Sequence, residues 1–276
     1  MKFAKMEGLG NDFIITHNCP EEEVYTIVKN IPNLCDRRKG IGADGIIFVL
    51  STTAENSDFR MRIFNSDGSE AEMCGNGIRC FTVYLHEMNI SRKQSFAIET
   101  NAGIIRTEFH EKKIRVDMGN PELKAELIPT SKSNQMVIME PISIGDREFK
   151  ITAVSMGNPH SIIYVDEITD DLVINYGSKI ESHSFFPNRV NVEFIKVLSD
   201  SEIEMRVYER GCGETMACGT GACAAVVAGI LNKRHGNKVT VHLRGGDLNI
   251  EWDGDSSHSV FMTGPAKLVF KGEYEL

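Results

Sequence analysis

Nothing in this chain of 276 residues reads as an export signal. Met1 to Asn18, MKFAKMEGLGNDFIITHN, has neither an apolar h-region nor a small-residue cleavage site. Long hydrophobic runs are missing as well. The longest, Ala222 to Leu231, falls far short of the roughly 20 residues a membrane helix needs. There is no basic excess: 39 acidic against 30 basic side chains leave a formal charge of −9, and a phosphate backbone offers such a chain little. No Cys-x-x-Cys occurs, so a thioredoxin-like redox pair is excluded, and no paired-histidine spacing supports a zinc site at Cys212, Cys218 and Cys223. The glycine-rich turns match neither a P-loop nor a dinucleotide fingerprint. Seven irregularly spaced cysteines fit thiols in a reducing compartment better than a disulfide framework, and the expected location is the cytoplasm. The length suits two domains, each with its own core.

What is present is a repeat. Met61 to Cys80 reads MRIFNSDGSEAEMCGNGIRC, and Met205 to Ala225 reads MRVYERGCGETMACGTGACAA. At an offset of 144, Met61, Arg62, Glu70, Cys74, Gly75 and Gly77 fall on Met205, Arg206, Glu214, Cys218, Gly219 and Gly221. Val116 to Pro121 overlays Val260 to Pro265 at the same offset, while Gly10-Asn11 meets Gly157-Asn158 and Asp44 meets Asn191 at 147. Collinear matches of this kind indicate an internal duplication. Each copy is expected to be a set of mostly antiparallel strands, a β-barrel or roll, around one buried helix, giving an α+β fold of two pseudo-symmetric domains. The expected boundaries are 1–120 with 266–276 for the first domain and 121–265 for the second.

The helix expected after each cysteine is apolar on most of its circumference (Ile78, Phe81, Val83, Tyr84, Leu85, Met88; then Gly219 to Asn232), the pattern of a helix surrounded by protein. Short strands are expected after each: Ser95–Glu99, Gly103–Phe109 and Lys113–Met118, then Lys238–Leu243, Leu248–Trp252 and Ser259–Met262. A shorter helix is expected over Glu21–Asn30, ended by Pro32.

Cys19, Cys35, Cys80 and Cys223 read as small buried hydrophobes. Cys74 and Cys218 do not, because the duplication carries both to the start of a helix. Free N–H groups and partial positive charge there favour a thiolate and bind carboxylates. A thiolate and a thiol on opposite sides of one carbon suit stereoinversion at the α-carbon of an amino acid, with the N–H groups of Gly75, Asn76, Gly219 and Thr220 taking the carboxylate. Such chemistry needs no cofactor and no metal.

These motifs resemble the diaminopimelate epimerases over essentially the whole chain: GLGNDF at Gly8, RKGIGADG at Arg38, RIFNSDGSEAEMCGNGIRC at Arg62, MGNPH at Met156, RVNVEF at Arg189 and YERGCGETMACGTGACAA at Tyr208. The resemblance implies cofactor-independent interconversion of LL- and meso-diaminopimelate, on the way to lysine and peptidoglycan. It implies Cys74 and Cys218 as the acid–base thiols, with His160 and Glu209 setting their protonation. Asn11, Asn65, Asn158, Asn191 and Arg210 match the substrate ligands, and Glu209 with Arg210 would read the distal amino-acid end. The expected partners are that small molecule and a second copy of the chain, with neither nucleic acid nor membrane. One position departs: many members carry Gln where this chain has Gly45, so that substrate contact is expected to be lost. The runner-up is a proline or hydroxyproline racemase-like enzyme of the same fold, and a non-catalytic metal or redox protein is the reading from another class.

Overall fold

A computed structural model describes residues 1–133 and 135–276, with Glu21 through its backbone only. The chain divides into two compact units, Met1–Val116 with Thr263–Leu276, and Asp117–Met262.

In the first unit, β1 (Lys2–Gly8), β2 (Asn11–His17), β3 (Gly45–Leu50), β4 (Phe59–Asn65), β6 (Ser95–Thr100), β7 (Gly103–His110) and β8 (Lys113–Asp117) are paired in that order, β18 (Lys267–Glu273) lies on the free side of β1, and the two-residue β5 (Glu70–Ala71) adds to β4. All pairs are antiparallel except β2 with β3 and β4 with β6. Parallel neighbours need a crossover, and here each crossover contains a helix. α1 (Glu21–Cys35) joins β2 to β3, and α2 (Gly75–Glu87) lies between β4 and β6.

The second unit repeats this scheme. β9 (Glu140–Ile144), β10 (Arg147–Ser155), β11 (Pro159–Tyr164), β12 (Asn191–Ser199), β13 (Glu202–Glu209), β15 (Lys238–Leu243) and β16 (Gly246–Glu251) pair in order, with β14 (Gly213–Glu214) on β13. The parallel pairs again flank the two crossovers, β11 with β12 and β13 with β15. A π-helical turn (Asp171–Tyr176) running into α3 (Gly177–Glu181) makes the first crossover, and α4 (Gly219–Leu231) the second. β17 (Phe261–Gly264) lies where the chain returns to the first unit. The expected architecture holds in its open form: each unit is a mostly antiparallel roll around its helix, and among the described residues no hydrogen-bonded pairing closes it into a barrel.

Both thiol helices are wrapped. Ile78, Phe81, Tyr84 and Leu85 of α2 have no exposed surface, and neither do Ala222 to Ala228 of α4. At roughly 1.5–3 kcal/mol for each large apolar side chain removed from water, this fastens the start of each helix to the sheet around it. In α4 the small residues let strands approach closely.

α1 is longer than the sequence pattern suggests, running through Pro32 to Cys35. Its buried face, Val24, Ile27, Ile31, Leu34 and Cys35, keeps helical spacing past the proline, and that packing outweighs the backbone hydrogen bond Pro32 cannot make. Cys35, Cys80 and Cys223 are buried and Cys19 is partly so; burial pushes the Cys35 thiol up to about 11, despite the opposing pull of Lys5. Among the described residues no helix is long and apolar enough to cross a membrane.

Candidate active site

Cys74 and Cys218 are both helix N-caps. Cys74 (φ −140°, ψ 123°) and Cys218 (φ −119°, ψ 111°) are extended residues just ahead of α2 and α4. Each sulfur accepts from the N–H three residues on, Gly77 for Cys74 and Gly221 for Cys218, both at 3.4 Å. Ser, Thr, Asp or Asn usually fills this place with an oxygen acceptor, and the sulfur accepts best as a thiolate. The fourth N–H already closes a helical bond, Ile78 to the Cys74 carbonyl and Ala222 to that of Cys218. The first two N–H groups, of Gly75 and Asn76 and of Gly219 and Thr220, are those a helix start turns outward toward an anion.

In the first unit Asn11 and Asn76 gather at Cys74. The Cys74 thiol lies 3.6 Å from Asn11 Oδ1, and Asn76 Nδ2 donates to the same oxygen at 3.5 Å. Both amides are aimed by residues the sequence reading left unassigned. Asp44 Oδ2 accepts from Asn11 Nδ2 at 2.8 Å, and Arg37 ties Asp44 (2.7 Å) to Asp12 (2.8 and 2.9 Å). Burial alone would raise the Asp12 pKa, but Arg37 and Lys5 overcome it and hold this carboxyl well below the usual range. Arg79, fully buried in α2, donates to Asn76 Oδ1 (2.8 Å), to the Gly75 carbonyl (2.9 Å) and to the Pro265 carbonyl (3.2 Å). Asn65 is exposed, with its amide on Ser69 Oγ at 3.0 Å. Gly45 is a tight spot: a Cβ there would stand 2.3 Å from the Phe64 carbonyl oxygen, so this backbone has closed over the space a glutamine would need.

The second unit surrounds Cys218 with charge. Glu209 lies near enough to the thiol to act on it through its charge, and accepts a hydrogen bond from Thr215 Oγ1. Thr220 Oγ1 is 3.5 Å from Cys218 Sγ. His160, fully buried, contacts Glu193 Oε1 through Nδ1 (2.6 Å) and Asn158 Oδ1 through Nε2 (3.0 Å). Burial, then Glu209 and Glu193, push the Cys218 thiol far above its ordinary value, against the smaller pull of Thr220 and Gly221. Burial and the charge of Glu193 also raise Glu209, against Thr215, His160 and Cys218.

Three placements bear on the expected roles. Glu209 accepts from Thr215 and lies beside the Cys218 thiol. Asn191 donates to the Pro159 carbonyl (3.0 Å) and accepts from the Arg210 N–H (2.9 Å), which leaves one amide hydrogen for a ligand. Arg210 itself is exposed, with Nη1 3.3 Å from the Asn188 carbonyl. Third, strand pairing puts Gly45, not Asp44, at the place of Asn191: Gly45 pairs with Phe13 in β2, as Asn191 pairs with His160 in β11. The first-unit counterparts of His160 and Glu209 are therefore Phe13 and Asn65, so the two thiols stand in different electrostatic settings.

His160, Glu193 and Cys218 bring possible metal-ligating atoms within 4.8 Å of one another. Cys, His and carboxylate form a donor set zinc accepts. Here both ring nitrogens are occupied and burial favours the neutral thiol, so a cation would have to displace hydrogen bonds and a proton.

Known proteins share this arrangement of motifs. The sequence model described as diaminopimelate epimerase matches residues 3–124 and 152–269. The chain belongs to the diaminopimelate epimerase family. A diaminopimelate epimerase of Moorella thermoacetica is 49% identical with both chains covered in full, and one of Pelotomaculum thermopropionicum is 50% identical with 99% of each covered. Among solved structures, a PhzF-family phenazine biosynthesis protein of Bacillus anthracis aligns over 100% of this chain and 99% of its own, with a TM-score of 0.68 at 20% identity. A hydroxyproline epimerase of Agrobacterium vitis aligns over 99% and 90%, with a TM-score of 0.69 at 15% identity. Those two likenesses are of fold alone, whereas the family relation rests on close sequence identity along the full chain.

Proposed function

We propose that this protein interconverts LL- and meso-diaminopimelate without a cofactor, in the route to lysine and peptidoglycan precursors, as a cytoplasmic homodimer. The observation that carries the mechanism is the pair of duplicated N-cap thiols. The α-carbon carries a very weakly acidic hydrogen, so removal needs a base placed against it and donors that hold the developing charge on the carboxylate. The N–H groups of Gly75, Asn76, Gly219 and Thr220 supply those donors, while Asn11, Asn65, Asn158, Asn191 and Arg210 bind the substrate's polar ends.

The setting of Cys218 favours its thiol at rest, which makes Cys74 the first base. Cys74 thiolate takes the α-hydrogen as a proton, the electron pair stays on carbon, and the Cys218 S–H proton is delivered to the other face. The product leaves Cys74 protonated and Cys218 as thiolate; loss of the Cys74 proton to solvent and uptake of one by Cys218 restore the starting form, and the same steps run backward carry meso to LL. Glu209 and His160 manage the proton at Cys218.

Incubation with LL-diaminopimelate in D₂O, with no added cofactor, tests the reading. One α-deuterium should appear together with the meso isomer, and retention of both α-protons would sink it. Activity should also survive chelator, which separates the epimerase from a metal-binding protein, and light scattering should give twice the monomer mass.

Two further outcomes follow from the geometry. Arg37→Ala releases Asp44 and with it the Asn11 amide, so KM should rise about tenfold, the worth of one well-placed hydrogen bond, with kcat less affected. Steady-state kinetics checks it. The raised Cys218 pKa sets a pH dependence: below that value the thiolate fraction grows about tenfold per pH unit. Alkylation of Cys218 by iodoacetamide, followed by peptide mass spectrometry, should be negligible at pH 7 and still be climbing at pH 9. A plateau by pH 8 would contradict this.

A further inference from the structure

Strand register sets Glu193 of β12 where Ile47 stands in β3. Glu193 pairs with Val207 and Ile47 with Ile63, and Ile63 and Val207 are themselves matched in the repeat. Both side chains lie under the third residue of the thiol helix. A Cβ added to Gly77 would meet Ile47 Cδ1 at 3.1 Å, and one added to Gly221 would meet Glu193 Oε1 at 2.6 Å. One unit thus has a methyl group where the other has a carboxylate.

For packing alone the carboxylate is a poor choice. Glu193 is fully buried between Val192 and Phe194, themselves without exposed surface. Its Oε1 meets His160 Nδ1 at 2.6 Å, while its Oε2 has no hydrogen-bond partner among the described residues. Desolvating such a group costs several kcal/mol, and apolar residues of similar size often serve stability as well or better. The first unit shows that isoleucine fits this niche. What the carboxylate adds is a fixed acceptor for one ring nitrogen of His160, within 4.8 Å of the Cys218 sulfur.

We propose that Glu193 is a positioning residue for proton transfer at Cys218: it holds His160 by Nδ1–H, fixing the ring's orientation and tautomer, and leaves Nε2 to the Asn158 side. This rests on the reading of Cys218 as one of the two acid–base thiols. A histidine's tautomer is set by the bond its other nitrogen makes, and β11 and β12 hold His160 and Glu193 rigidly enough to set it. The first unit, with Phe13 and Ile47 at these places, has no such device, so proton handling is concentrated at one of the two thiols.

Two substitutions test it. Glu193→Gln keeps the shape and an acceptor but removes the charge, and Glu193→Ile restores the residue of the first unit. Glu193→Gln should keep the wild-type melting temperature, and Glu193→Ile, which leaves His160 Nδ1 without its partner, should lower it by no more than a few degrees. The kcat should fall about tenfold in Glu193→Gln and about 100-fold in Glu193→Ile, within the range general acid–base groups supply, with KM within threefold. The imidazole ¹⁵N spectrum should show a proton held on His160 Nδ1 in the wild type and one that exchanges between the two ring nitrogens in Glu193→Ile. Wild-type kcat in either variant, a loss that only tracks the folded fraction, or an unchanged His160 spectrum would overturn the proposal. Wild type and Cys218→Ala run in the same assay keep the two ideas apart. An inactive wild type sinks the epimerase reading, while the spectrum still judges the Glu193–His160 link.

Discussion

Cys74→Ala and Cys218→Ala should each lower epimerisation by at least about a thousandfold, and neither should be rescued by the other thiol. General acid–base groups contribute roughly 10²–10⁴-fold each, and in the proposed mechanism the group lost is the base or acid that serves one face of a weakly acidic carbon. The informative measurement is solvent exchange rather than rate alone. With Cys218 removed, Cys74 can still take the α-proton from the isomer it faces and return a solvent-derived proton to the same face. Deuterium should then enter that isomer without inversion. Cys74→Ala should leave the complementary exchange weaker, because the raised pKa of Cys218 makes its thiolate scarce near neutral pH. NMR of recovered substrate from D₂O reads both. Equal exchange and equal residual inversion in the two variants would mean that the settings of the thiols do not differentiate them. A single thiol sufficing for full activity would remove the two-base mechanism altogether.

Gly221→Ala is expected to be severe where its repeat counterpart Gly77→Ala is mild. The new methyl at 221 would lie 2.6 Å from Glu193 Oε1 and 3.3 Å from Cys218 Sγ, and a fully buried carboxylate has no water to retreat into. At 77 the neighbours are the terminal methyls of Ile47 and Ile63 at 3.1 Å, ends of flexible side chains that can give by a few tenths of an ångström. Overpacking of this kind costs about 1–3 kcal/mol, and displacing a buried hydrogen-bonded acid puts Gly221→Ala at the upper end. For a chain of this length that is a fall in melting temperature of roughly 5–10 °C, against about 2 °C or less for Gly77→Ala. Activity should fall at least about 100-fold in Gly221→Ala, since the same methyl crowds the thiol. Adding Glu193→Ile should restore most of the lost melting temperature and none of the activity, because isoleucine yields where the carboxylate cannot. Equal melting points for the two single variants, read by calorimetry, would contradict this packing argument.

Much of the site was legible before any coordinates. The offset of 144 carried Cys74 onto Cys218, and the glycines beside each cysteine, followed by an apolar helix, fixed both thiols at helix starts. Chain order alone was enough, because capping is a property of neighbours in sequence. Arg37, Arg79 and Glu193 escaped notice for the opposite reason. Arg37 and Arg79 look like ordinary polar residues, and their roles come from partners brought in by folding: Asp12 lies 25 positions from Arg37, and the Pro265 carbonyl 186 from Arg79. Glu193 had a weak signal, an acid between the apolar residues Val192, Phe194 and Ile195, but the stretch does not say what it meets.

The sequence by itself determined the duplication, the buried helices and the pair of capping thiols, since repeat, periodicity and capping are all local. The repeat already set Asn65 opposite Glu209, but only tertiary structure added Glu193 opposite Ile47 and gathered these groups around one thiol. Strand register brings His160, Glu193 and Glu209 around one thiol and sets Phe13, Ile47 and Asn65 at the matching places by the other. Register is a relation between strands distant in the chain, and a shift of one residue, like that between Asp44 and Gly45, turns a different side chain inward. That is why the place of Glu193 beside Cys218 had to be read from the folded strands.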